Sequence, residues 1–289
     1  MKETASAIEN FASLRPYLFT VAYNMLGSVM DAEDMVQEAY VRWQRAGAVA
    51  ESPKAYLTAV TTRLCIDHLR SAKVQREEYI GPWLPEPLVQ GSYPPAEENV
   101  TLSETLSLAL LVLLESLSPT ERAVFLLREI FDYEYAEVAA TVGKSEANCR
   151  QMVRRARQHL AAGKPRFDVP LPQQESLITQ FSQAVLAGDL DGLIELLAED
   201  IEVWSDGGGK VTAARKIIVG REKVAHFLLG VTRLAPENAE TQVALINGQL
   251  GIVARVDGRP VLVMALEMGN GRIQAIRNIL NPDKLHHVR

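Results

Sequence analysis

The sequence predicts a multidomain chain of two all-α modules, the second containing a helix-turn-helix, followed by an α+β domain with helices on one face of a curved sheet. Three observations predict it. The chain has 289 residues, more than one typical domain, and proline-bearing stretches near 79–99 and 163–174 divide it. The run YAEVAATVGKSEANCRQMVRRAR, Tyr135–Arg157, reads as two short helices around a tight turn. In the last third, strand-like runs 241–246, 250–256 and 261–268 and a final run 272–280 are separated by Asn247-Gly248, Asp257-Gly258 and Asn270-Gly271, all hairpin dipeptides.

The elements follow in chain order. In DAEDMVQEAYVRW, Asp31–Trp43, the apolar residues Met35, Val36, Ala39 and Tyr40 recur at helical spacing and predict a core face. Asp31, Glu33, Asp34, Gln37 and Glu38 lie on the other side. That acidic face repels phosphate and suits a basic partner helix instead of DNA. In AYLTAVTTRLCIDHLR, Ala55–Arg70, the apolar set is Tyr56, Leu57, Val60, Leu64 and Ile66. Thr58, Thr61, Thr62, Arg63 and Arg70 add hydroxyls and cations, the chemistry that separated DNA strands require beside a stacking surface. Asp67 is expected to order its own helix pair.

The first linker carries Pro82, Pro85, Pro87, Pro94 and Pro95, a density that forbids regular helix and stiffens the chain. Its core, YIGPWLPEP, holds Tyr79, Ile80, Trp83 and Leu84, apolar groups that a plain tether does not use. Trp83 is expected to be the main anchor. Leu106–Leu114 is the most apolar run. It is too short to span a bilayer and reads as the first buried helix of the second module.

In the helix-turn-helix, Ala136, Val138, Ala139 and Val142 are expected to be buried, and Gly143 supplies the left-handed residue that ends the first helix. Ser145 caps the second helix and Glu146 favours its positive end. A capped helix with small or polar residues first and arginines later suits a major-groove reader. Ser145, Glu146, Asn148, Cys149 and Arg150 would face base edges, and Arg154, Arg155 and Arg157 would hold phosphates. Val153 and Ala156 form the apolar side.

Beyond the second linker, with Pro165, Pro170 and Pro172, helical patterns occupy about 175–187, 190–198 and 223–234, with a strand near 201–205. Asp206, Glu202, Lys210, Arg215, His226 and Glu267 are its ionisable candidates for acid–base chemistry. DGGGK, Asp206–Lys210, is either a flexible hairpin loop or an amide-lined anion nest. The net charge of −6 excludes a uniformly basic DNA binder, so the arginines of 150–157 act locally. Cys65 and Cys149 are the only cysteines and form neither a metal-ligand spacing nor a disulfide framework, as expected in a reducing cytoplasm. The N-terminus MKETASAIENF is polar and does not read as a signal peptide.

Asp31–Trp43, Ala55–Arg70 and the helix-turn-helix together resemble regions two and four of the bacterial extracytoplasmic-function sigma factors, over about 11–163. The resemblance implies that Asp31, Asp34, Gln37 and Glu38 grip the RNA polymerase core. It implies that Tyr56, Thr58, Thr61, Thr62, Arg63 and Arg70 open and read the −10 element, and that the residues of 145–157 read the −35 element. Tyr56 stands where a tryptophan is frequent in the family, and Arg63 where an asparagine is. GDLDGLIELLAEDIEVWSDGGGK resembles the SnoaL-like members of the cone-shaped nuclear-transport-factor superfamily, some of which are enzymes.

YIGPWLPEP, DGGGK and NPDKL (Asn281, Pro282, Asp283, Lys284, Leu285) match three signatures of a sigma-factor subgroup with a fused SnoaL-like domain. This implies regulation in cis. Our own expectation is that Trp83, Asp206, Gly207, Gly208, Gly209 and Lys210 form one contact surface with the 281–285 tail. The implied layout is region two at 1–77, linker 78–100, region four at 101–163 and cone at 175–289. Expected partners are polymerase core, promoter DNA and a small molecule in the cone's pocket, with no membrane, metal, cofactor or catalytic residue. A ligand-sensing helix-turn-helix regulator and a SnoaL-like enzyme fused to DNA-binding modules are the alternatives.

Overall fold

The computed structural model describes residues 2–46, 52–77, 79–92, 106–161 and 169–288, with side chains for all of these except 2–10, 72–77 and 161. Pro94, Pro95 and Pro165, part of the linker reading, lie outside the described residues. The chain forms two compact units. One comprises the described residues up to 77 with 106 and 110–161; the other comprises 79–92, 107–109 and 169–288.

The first unit opens with α1 (Lys2–Leu26), α2 (Val29–Arg45) and α3 (Pro53–Glu77). Gly27, at φ 66°, ends α1, and Ser28 caps α2 by accepting the Asp31 N–H at 3.2 Å. Leu18, Ala22, Val36, Ala39, Trp43, Leu57 and Cys65 are buried there. Met35 and Tyr40, expected in the core, are half-buried, because Ala32 and Trp43 take the inward positions of α2.

Among the described residues four further helices follow: α4 (Leu108–Leu114), α5 (Pro119–Glu129), α6 (Tyr135–Val142) and α7 (Glu146–Ala161). Ser118 and Glu121 form a capping box at the start of α5. Helices α6 and α7 are the expected helix-turn-helix. Gly143, at φ 66°, returns its N–H to Ala139 O, and Ser145 Oγ accepts the Asn148 N–H at 3.3 Å.

Two expectations are corrected here. Ala136 is exposed. Cys149 is fully buried in the core formed by Val124, Leu127, Val138, Ala139 and Val153, so it does not face base edges. Cys149, Val153, Ala156 and Leu160 recur every three or four residues and form the inward stripe of α7, where a thiol packs as a small apolar group.

The second unit contains α8 (Leu171–Ala187), α9 (Leu190–Leu196), β1 (Leu197–Asp206), β2 (Ile218–Val219), α10 (Arg221–Thr232), β3 (Ala239–Ile246), β4 (Gln249–Val256), β5 (Arg259–Gly269), β6 (Arg272–Ile279) and α11 (Pro282–Leu285). Helix α8 begins earlier than expected because Pro172 fits its first turn. The sheet order is β2-β1-β6-β5-β4-β3. Asn247, Asp257 and Asn270 all have positive φ, as does the glycine after each, so the three hairpins turn as their sequences require.

The sheet is not purely antiparallel, as a meander predicts: β1 pairs in parallel with β6, Val203 facing Ile276 and Asp206 facing Ile279. This pairing joins strands far apart in sequence, and local patterning carries no trace of it. The helices bury Leu177, Phe181, Leu193 and Leu228 against Val203, Leu266 and Ile276 of the sheet.

Candidate nucleic-acid interface and the docked linker

Helix α7 presents Ser145, Glu146, Arg150, Arg154, Arg155 and Arg157 on its exposed side, with Asn148 half-buried. Arg150 donates to Glu146 Oε2 at 2.6 Å, and its guanidinium lies 4.9 Å from the Tyr135 ring. Arg128 lies 4.9 Å from the same ring and donates to Tyr133 O at 2.8 Å. Arg155 pairs with Glu121 at 3.4 Å. Arg157 forms a two-point pair with Glu129 at 2.7 and 2.9 Å, which pushes its pKa up. Among the described residues, Arg154 makes no side-chain hydrogen bond or ion pair. Two of the three expected phosphate-holding arginines, Arg155 and Arg157, are thus engaged by carboxylates of α5.

On α2, Asp34 and Gln37 are exposed, and neither makes a side-chain bond among the described residues. Glu38 pairs with Arg42 at 2.8 Å, Asp31 with His68 at 3.5 Å and Glu33 with Arg15 at 2.6 Å.

The α3 candidates are mostly turned inward. Thr58 is buried and donates to Lys54 O at 2.8 Å. Thr61 and Thr62 are fully buried, and among the described residues their hydroxyls have no hydrogen-bond partner, a costly arrangement. Tyr56 packs its ring 5.4 Å from that of Trp43. Arg63 donates to the carbonyls of Thr141 and Ala140, both at 2.8 Å. Arg70 pairs with Asp67 at 3.3 Å, the local pairing expected of Asp67.

In the second unit, YIGPWLPEP, DGGGK and NPDKL converge on one carboxylate. Asp206, the last residue of β1, is wholly buried. Its Oδ1 accepts the Tyr79 hydroxyl at 2.5 Å and the Gly208 N–H at 3.1 Å. Its Oδ2 accepts the Leu84 N–H at 2.8 Å and the Lys284 ammonium at 2.7 Å. Lys284 also donates to Leu84 O at 2.5 Å and sits 4.3 Å from the Trp83 ring centre. The Asn281 side-chain amide donates to the Tyr79 hydroxyl at 3.0 Å, while its Oδ1 caps α11. Exposed Lys210 pairs with Asp283 at 2.5 Å. Burial, then the neighbouring carboxylate, pushes the Tyr79 hydroxyl pKa up.

Two of the loop glycines are required by close approach. A Cβ on Gly208 (φ 58°) would lie 2.3 Å from Asn281 Nδ2, and one on Gly209 (φ 72°) 2.8 Å from Ile80 Cδ1. The Gly208 amide is occupied by the loop's own Asp206. A cleft of about 320 Å³ beside the loop is lined by Ile80, Gly81, Lys210, Thr212 and Arg215, among others.

The linker continues along the sheet. Leu88 N–H donates to Asn247 Oδ1 at 2.9 Å, Asn247 N–H returns to Leu88 O at 2.8 Å, and Gln90 N–H reaches Leu245 O at 2.9 Å. Val89 bridges Ile246 and so extends the β3 edge by strand addition. His287 Nε2 meets Pro87 O at 2.9 Å, and burial pushes its imidazole pKa down. Leu84 and Leu88 are the fully buried anchors. Trp83 stays half-buried and offers its ring face to Lys284. Sequence reasoning missed Leu88, Asn247 and the Tyr79 hydroxyl; the alternation of prolines and apolar residues in 79–89 was the available signal.

The enzymatic candidates do not converge. Glu202 accepts from Trp204 Nε1 at 3.0 Å, Glu267 pairs with Arg277, and His226 is exposed with Nδ1 2.8 Å from Glu222 O.

Comparison with known proteins agrees with this geometry. Residues 11–74 match the family model described as Sigma-70 region 2, and 107–160 match Sigma-70, region 4. The helical modules are therefore those of a sigma factor. The ECF RNA polymerase sigma factor SigJ of Mycobacterium tuberculosis is 39% identical over 290 residues, covering 96% of this chain and 92% of SigJ. SigI of the same species, described as a probable ECF RNA polymerase sigma factor, is 35% identical over 95% of this chain and 93% of its own length. The crystal structure of SigJ superposes with a TM-score of 0.78 at 35% identity, covering 97% of this chain and 98% of SigJ. The chain belongs to the extracytoplasmic-function RNA polymerase sigma factors, and the likeness to SigJ extends over the α+β domain behind region 4. It is an alternative sigma factor: it takes RNA polymerase core to promoter DNA.

Proposed function

We propose that this sigma factor is regulated in cis, its SnoaL-like domain holding the inter-region linker through the Asp206 carboxylate. The supporting observation is the convergence of Tyr79, Leu84, Gly208 and Lys284 on that one buried group. A segment that serves only as a spacer has no use for two hydrogen bonds, from Tyr79 and Leu84, to one buried carboxylate. The domain acts as a clamp and not as an enzyme, because Asp206, Lys210, Glu202 and Glu267 are committed to partners within the protein. The cleft beside Lys210 and Arg215 is where a small anionic molecule would bear on the linker.

For the sigma modules, exposed Asp34 and Gln37, flanked by Asp31 and Glu38, meet a basic helix of the polymerase core. Arg150, with Ser145, Glu146 and Asn148, reads the −35 element, and Arg154, Arg155 and Arg157 hold phosphates. Tyr56, Thr58, Thr61, Thr62, Arg63 and Arg70 serve the −10 element after rearrangement. The protein works in the cytoplasm, where polymerase is. Among the described residues no helix is long and apolar enough to cross a membrane.

Asp34→Arg with Glu38→Arg tests the polymerase assignment in the full-length chain. Reversing charge against a basic partner costs several kcal/mol. Run-off transcription and co-purification with core polymerase should both be lost while the circular dichroism spectrum is kept. Normal co-purification would place the polymerase contact elsewhere.

A further inference from the structure

We propose that the cleft between the glycine loop and the linker is a binding site for a small organic acid, one carboxylate on an apolar body, and that its occupant holds the linker docked. The cleft measures about 320 Å³, the lower end of the range for small-molecule pockets. One wall is the linker, Ile80 and Gly81; the other is the end of β1 and the loop 207–215. None of the lining residues comes from the helices or from β3–β6, so the cleft is separate from the space where helices pack on the sheet. The two walls approach closely. A Cβ on Gly209 would lie 2.8 Å from Ile80 Cδ1, and one on Gly81 would lie 3.8 Å from Arg215 Cα.

The lining sets the chemistry of the occupant. It contains no carboxylate, and its cations are Lys210 and Arg215. Lys210 already pairs with Asp283 at 2.5 Å. Arg215 is exposed and makes no hydrogen bond or ion pair among the described residues. One unmet positive charge suits a monoanion, and the planar fork of a guanidinium matches a carboxylate at two points. Among the described residues the Ser205 and Thr212 hydroxyls are unpaired, as are the backbone N–H groups of Thr212, Ala213 and Ala214. Ser205 is 3% exposed, so its hydroxyl is already withdrawn from water and gains by meeting an acceptor. Ile80, Val211, Ala213 and Ala214 make the rest of the lining apolar. An inorganic anion leaves these groups uncovered, and a neutral apolar molecule leaves Arg215 unmatched. A carboxylate carrying a short chain or a single ring system satisfies both.

The position of the cleft fixes the direction of its effect. A ligand moves an equilibrium only by the difference in its affinity for the two states. When the linker leaves, the cleft loses the Ile80–Gly81 wall and the apolar cover that Ile80 provides. The acid therefore binds the docked form more tightly and stabilises it. The same linker donates the Leu84 N–H to Asp206 and the Leu88 N–H to Asn247, so the bound acid strengthens both of those attachments. That this lowers transcription rests on the regulation in cis proposed above.

The test uses the full-length chain with octanoate and 1-naphthoate as probes. Octanol and octylammonium, which share octanoate's chain, are the controls. Isothermal titration should give at least one acid a dissociation constant on the order of 1 mM or lower and show no binding of either control. Arg215→Gln keeps a polar side chain, removes the charge and should weaken acid binding about 10-fold or more. Ala214→Phe fills the cleft and serves if Arg215→Gln does not fold. In hydrogen exchange, the acid that binds should slow the Leu84 and Leu88 amides several-fold in the parent and not in the variant. Run-off transcription with core polymerase should fall when that acid is added to the parent and not respond in the variant. Failure of both acids to bind at about 10 mM overturns the site. So does equally tight binding of octanol, or acid binding by a folded variant with the parent's affinity. Acid binding with unchanged exchange at Leu84 and Leu88 overturns the coupling to the linker. Binding and slowed exchange with unchanged transcription sustain the site and overturn regulation in cis instead.

Discussion

Asp206 accepts from four donors in a site closed to solvent, and Lys284 is its only cationic partner among them. A buried carboxylate is tolerable only when paired and fully hydrogen-bonded. Asp206→Asn keeps the shape and removes the charge, leaving the Lys284 ammonium buried without a counter-ion. The expected cost is about 3–5 kcal/mol of domain stability, read as a lower denaturant midpoint. Adding Lys284→Met removes the stranded charge and should recover part of that loss. If the double variant is less stable than Asp206→Asn alone, the ion pair is not what makes the single substitution costly. At the same scale, Arg150 is held between the Glu146 carboxylate and the Tyr135 ring, so it enters a groove with little rotamer freedom left to lose.

Helix α7 shows how one element divides its faces. Its buried stripe, Cys149 through Leu160, fixes the helix on the module core, and only the remaining positions are available to DNA. The arginines on that outer side are not equivalent. Arg154 is uncommitted among the described residues, whereas Arg157 must first leave Glu129. In a titration of holoenzyme binding against salt, Arg154→Ala should lower the slope of log affinity on log salt by about one. Arg157→Ala should lower it by less, since its ion pair with Glu129 already offsets part of its charge. Equal slopes for both variants would show that the Glu129 pair does not persist on DNA. Arg150→Ala should instead weaken discrimination among −35 sequences and leave the slope nearer the parent's.

At the scale of the whole molecule, the linker that follows α3 in sequence is held by β1, the glycine loop and the tail. Deleting 281–289 removes Asn281 from Tyr79 and Lys284 from Asp206, while the six-strand sheet keeps its pairings. Run-off transcription by this truncated chain should exceed that of the intact chain. Deleting the whole C-terminal α+β domain also removes the β3 edge on which Val89 docks, and should lower transcription. Identical transcription by intact, tail-deleted and domain-deleted chains would sink regulation in cis.

The sequence by itself determined the type of the elements it marked, though not the helices Lys2–Leu26, Pro119–Glu129 and Pro282–Leu285 or the short strand Ile218–Val219. Helical spacing, the Gly143 stop and the Asn-Gly and Asp-Gly dipeptides act over a few residues, where backbone preference and side-chain period decide the outcome. It also identified the three segments that meet at Asp206, through their resemblance to a signature set and the unusual apolar content of a proline-rich linker. Tertiary structure decided which side chains those elements spend on themselves. Cys149 faces inward because α7 needs an unbroken apolar stripe, and Thr58 turns inward and donates to Lys54 O. Arg63 finds its carbonyls 77 and 78 residues away in sequence. The parallel pairing of β1 with β6 is equally remote. Such contacts depend on which surfaces pack together, and that choice balances burial over the whole fold and leaves no local period in the chain.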